Sequence, residues 1–162
     1  MNEISAYIFL HAGLGDLGSL CFLWVLVEII NGKEEGLRRA RMISAGGLIL
    51  LLASWIVGGY YYVVTYGKVV KPVILGSTHA WAHGIVMETK EHVFLFIPIM
   101  AAVVVIALFS SKSFREMAGK GRTALGALSA LVFLSSLSMA LMGFLISAAA
   151  RAALAAGTVV VP

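Results

Sequence analysis

The sequence predicts an all-α integral membrane protein, built as a four-transmembrane-helix up-and-down bundle. Two observations predict it. Apolar residues make up 60% of the 162 and charged residues only 12%, where a soluble domain carries about 25% charged, and the mean hydropathy is +0.98. The apolar residues also fall into four runs near the ~20 residues that a helix needs to cross a bilayer. The expected spans are 6–30, 42–66, 91–109 and 123–149 of one membrane domain, 1–162.

Basic side chains orient the bundle. "NGKEEGLRRAR" carries Lys33, Arg38, Arg39 and Arg41, and "SSKSFREMAGKGR" carries Lys112, Arg115, Lys120 and Arg122. Both connections are short and lie on one side, so the positive-inside rule makes that side cytoplasmic and the expected location a cytoplasmic (inner) membrane. Both termini and the 67–90 connection then face outward; Lys68, Lys71 and Lys90 weaken the contrast without reversing it. The net charge of +4 is thereby used in orientation, and no nucleic-acid partner is expected.

Helix one begins without a basic leader and runs past the length of a signal peptide, so it is read as retained. It contains "GLGDLG", which formally matches a dinucleotide fingerprint but follows no strand; its glycines serve close helix approach instead. Cys21 reads as a buried thiol, and no C-x-x-C-H for covalent haem attachment occurs. Glu28 near the inner end reaches the interface or pairs with the arginines beyond it.

Helix two ends in "GGYYYVVTYG", whose tyrosines suit an interfacial aromatic belt. After Pro72 and Gly76, "THAWAHGIVMETKEH" has few breakers. It is expected either as an amphipathic helix lying on the outer surface or as the outward extension of helix three. Pro98 is expected to kink helix three. Helix four is rich in Ala, Ser and Gly and reads as a packing helix.

All four histidines map to the outer side. His11 lies about 7 Å inside the span at 1.5 Å per residue, and an ionisable residue there is a functional hypothesis by default. His79 and His83 share a helical face, Met87 and Glu91 continue that series, and Glu88 and His92 form a second i, i+4 pair. Imidazole suits haem iron, copper and zinc, and thioether selects copper(I). Beside these stands the plainer reading: His79, Trp81 and His83 anchor a surface helix, and Glu88, Lys90 and Glu91 form its solvated start. Asp16, near mid-bilayer, is neutral, paired or turned to a polar cavity. With Glu88 and Glu91 it is a candidate for quinol or proton handling. "ETKEH" supplies one E-x-x-H where di-iron bundles need two, and no H-E-x-x-H, nucleophile elbow or P-loop is present.

With a histidine early in helix one, His11, another at the start of a later helix, His92, and Lys90 nearby, the chain resembles small four-helix haem-b membrane proteins of the HemJ and CopD type. The resemblance covers size and pattern. It implies b-type haem held near the outer face by His11 and His92; the His79/His83 pair in "HAWAH" departs from it, so those families' enzymatic activity is not carried over. Three readings follow. One is electron transfer between a quinol and an outer-side acceptor such as a cytochrome, within a larger redox complex or alone. The second is an outer-facing copper or zinc site drawing on His79, His83, Met87 and His92, with His11 a further candidate ligand. The third is a non-catalytic anchor that docks a partner.

Overall fold

The computed structural model describes residues 3–117 and 119–157. Among them every regular element is helical, so each segment satisfies its own backbone groups, as any chain crossing a bilayer must. The elements are α1 (Glu3–Asn31), α2 (Glu34–Tyr61), a π-helical segment (Tyr62–Val70), α3 (Lys71–Leu75), a second π-helical segment (Ala82–Met87), α4 (Glu88–Val93), α5 (Phe96–Ser110) and α6 (Gly119–Ala155). They join into four rods long and apolar enough to span a membrane: Ser5–Asn31, Glu34–Leu75, Ala82–Ser110 and Gly119–Ala155.

Each rod exceeds its expected span, and the second does so most. Its 42 residues would extend about 60 Å, twice the ~30 Å hydrocarbon layer. The 78–90 stretch is a turn followed by the start of the third rod, so it extends that rod and does not lie as a separate surface helix. The cause is packing. Ala82, His83 and Met87 are buried on one face, and that face finds the extended second rod and the end of α6, so it needs no bilayer surface to cover it.

The bundle therefore has two tiers. The larger core draws Phe22, Val25 and Ile29 from α1, Leu51 from α2, Val104 from α5 and Val132 from α6. The smaller core joins Tyr66, Ile74, Ala82, Met87, Ile146 and Ala149, with no α1 side chain in it among the described residues. Small residues allow the closest approach. A Cβ on Gly47 would stand 2.7 Å from Cys21 Cβ, so α1 and α2 meet nearly backbone to backbone. The third rod breaks at Phe94–Leu95, as the sequence expects of a helix carrying Pro98. Pro98 has no N–H for the Phe94 carbonyl, which instead accepts from Ile97 N at 3.3 Å.

The arginine-rich end is tied by polar bonds. Gly32, at φ 64, closes α1 in the left-handed region that suits glycine. Glu28, 7% exposed, accepts from Arg39 Nε at 2.8 Å and Nη2 at 3.0 Å, and from Trp24 Nε1 at 3.1 Å. Arg41 donates to the carbonyls of Leu108 and Ser111 at the end of α5. Glu34 accepts from the backbone N–H groups of Phe114 and Arg115, which fastens the second basic connection to the start of α2.

Candidate functional site

The opposite end holds the histidines. His11 sits between α1 and α2, with two contacts to its ring and a third to its backbone carbonyl. Nδ1 lies 2.8 Å from the Ser54 carbonyl oxygen and 3.0 Å from Ser54 Oγ, while Ser54 Oγ donates to the His11 carbonyl oxygen at 2.8 Å. The Ser54 hydroxyl proton is thus committed, so both oxygens facing Nδ1 are acceptors. Nδ1 carries the proton and Nε2 keeps its lone pair. The ring lies against Gly58, where a Cβ would come within 2.5 Å of Nδ1. Lys90 is half-buried, with Nζ 3.2 Å from the position of a Cβ on Gly143 in α6.

His83 has the opposite polarity. It is 4% exposed, and Tyr66, 1% exposed, lies beside it with its hydroxyl 3.1 Å from His83 Nδ1. His83 Nε2 faces Glu88 Oε1 at 3.6 Å, and that glutamate side chain is 48% exposed. A carboxylate in front of Nε2 favours the proton there, which leaves Nδ1 to accept from the phenol. The Tyr62 ring stacks on Tyr66 with centroids 5.4 Å apart and planes at 20°. The Tyr62 hydroxyl faces the Glu91 carboxylate, whose Oε1 is buried with no hydrogen-bond partner.

The other candidates are dispersed. His92 is exposed on α4, its Nδ1 held 2.6 Å from the Glu88 carbonyl oxygen. Its Nε2 is therefore also the lone-pair nitrogen, but it lies on the outward side of the rod whose inward side carries Lys90, Phe94 and Ile97. His79 stands in the turn with Nδ1 3.3 Å from Thr78 Oγ1. Met87 is packed in the smaller core. Asp16 is exposed on α1, on the face turned away from the bundle. Among the described residues, no three His, Cys, Asp or Glu side chains converge as a metal site.

Sequence reasoning placed the tyrosines in an interfacial belt and missed the pairing of Tyr66 with His83. Tyr60 is exposed as a belt residue would be, but Tyr61 and Tyr62 are half-buried and Tyr66 is in the core. The i, i+4 repeat of Tyr62 and Tyr66 was the available signal. Its meaning depended on the widened π-helical turns, which have no signature in the sequence. Both tyrosines lie on the first such segment and His83 on the second, and π turns recur at functional sites. No family model, curated protein or solved structure matches the chain.

Proposed function

We propose that the protein is a membrane redox carrier that binds b-type haem through His11 near its histidine-rich end and passes electrons from a quinol to an acceptor on that side. The observation that carries this reading is the fixed ring of His11, whose Nδ1–H is held on the Ser54 carbonyl oxygen at 2.8 Å with Nε2 left as a donor. Metal-bound histidines are oriented by just such a bond from the other ring nitrogen. His92, anchored in the same way on the Glu88 carbonyl, is the second donor of this polarity, on the outward face. The haem would supply one-electron exchange. Lys90 offers positive charge toward an anionic oxygen of the quinol or of a haem carboxylate, and the Glu88 and Glu91 carboxylates are placed to take protons at the same end. The proposed orientation puts this end outside, opposite the basic connections.

The test is an optical spectrum of detergent-purified protein, oxidised and then reduced with dithionite. A Soret band with α and β bands that sharpen on reduction supports the reading, provided it disappears in His11→Ala protein that remains inserted. Loss in His92→Ala as well would make His92 a second residue that holds the haem, whereas retention there would leave His11 as the only ligand from this pair. A featureless spectrum from folded protein reconstituted with haem removes the reading.

A further inference from the structure

The Tyr66–His83 pair lies apart from His11, and its geometry answers a different chemical question. A buried phenol commonly bonds a carbonyl or a hydroxyl simply to satisfy its O–H. Here its partner is a base. The His83 ring is as deeply buried as the phenol, the two lie 3.1 Å apart, and a carboxylate faces the far nitrogen at 3.6 Å. That carboxylate holds the imidazole in the tautomer that accepts at Nδ1, and it stands ready to stabilise the imidazolium if a proton arrives. The rings of Tyr62, at 5.4 Å, and Tyr61, at 6.4 Å, adjoin Tyr66, so the pair opens onto further aromatic groups.

We infer that Tyr66 is a one-electron carrier whose phenol proton passes to His83 when it is oxidised. A phenol that loses an electron becomes a strong acid, and in a dry interior a lone cation there is costly. Oxidation is therefore favourable only when the proton leaves with the electron. A one-electron oxidant of the haem or metal-complex class accepts the electron. The Tyr66 O–H bond breaks, His83 Nδ1 gains the proton, and a neutral phenoxyl radical stands beside an imidazolium that faces Glu88. Reduction returns electron and proton by the same route, so no atom is consumed. Burial of Tyr66 among Ile74, Ala82, Met87, Ile146 and Ala149 keeps water and other reductants from the radical. This inference does not rest on the haem proposal, because an external oxidant can draw the electron.

The experiment uses the full-length protein in detergent, with flash-generated ruthenium(III) tris-bipyridyl as oxidant and persulfate as its sacrificial acceptor. Electron paramagnetic resonance then follows the radical. The expected result is a neutral tyrosyl signal that disappears in Tyr66→Phe and whose rate of formation falls about tenfold or more in His83→Gln. Tyr60→Phe should leave it intact. Should Tyr66→Phe fail to fold, 3-fluorotyrosine installed at position 66 must add fluorine hyperfine splitting to the signal. A signal that survives Tyr66→Phe, one that lacks the fluorine splitting, or folded wild-type protein that yields no radical overturns the inference.

Discussion

His11 and Ser54 hold each other in both directions across the α1–α2 interface: the imidazole donates from Nδ1 to the serine carbonyl, and the serine hydroxyl donates to the histidine carbonyl, each at 2.8 Å. The reciprocal pair fixes both the ring's orientation and the register of the two helices. Ser54→Ala removes the hydroxyl bond and should cost about 1 kcal/mol, read as a lower midpoint in thermal melts followed by circular dichroism. The backbone bond to Nδ1 survives in that variant, so any haem spectrum should survive too.

Gly58→Ala tests the same site sterically. A Cβ would press within 2.5 Å of the imidazole, and overpacking of this kind costs about 1–3 kcal/mol. The ring must turn away, so the expected outcome is loss of haem absorbance together with lower stability. Gly59→Ala is the control, because a Cβ there meets nothing within 4 Å.

Glu28 is buried and Arg39 half-exposed, so their pair is asymmetric. Arg39→Ala strands a carboxylate with only the Trp24 bond left and should lower the thermal midpoint clearly. Arg39→Lys should recover only part of the loss, since a lysine cannot make the two-pronged contact. Glu28→Gln, which keeps an acceptor for Trp24 and carries no charge to bury, should be milder than Arg39→Ala. Equal midpoints for all three would show that the pair does not hold this end together.

Asp16 faces outward from the middle of α1, with no hydrogen-bond or ion-pair partner among the described residues. A carboxylate at mid-bilayer costs about 2.5–3.5 kcal/mol on insertion scales. Asp16→Leu should therefore raise the fraction of α1 inserted in a translocon assay. In the isolated chain it should also leave folding intact.

Topology is checked by labelling single cysteines in a Cys21→Ala background. Thr78→Cys in the turn of the histidine-rich end should react with an impermeant maleimide added outside intact cells, and Lys120→Cys should react only after permeabilisation. The reverse pattern would turn the bundle over and place the proposed quinol and haem chemistry on the cytoplasmic side.

Four apolar runs and two basic connections were enough for the sequence to determine an all-helical, four-rod molecule. Helix formation and spanning length are local properties: the backbone must bond within each segment, and about 20 apolar residues suffice to cross. The same local logic located the break caused by Pro98 and anticipated that Glu28 could find an arginine. It also gathered the four histidines at one end, because an up-and-down bundle maps positions along the chain onto depth. Which side chains meet at that depth was a different matter. Depth alone placed His92 level with His11, but the third rod turns Lys90 inward and His92 out. The belt reading of Tyr66 failed because its second rod continues past the expected boundary at residue 66 and packs against the start of the third. Only the tertiary structure decided those facings, since they depend on helix rotation and on two π-helical turns, and rotation is set by how neighbouring rods pack, not by the hydropathy of any one of them.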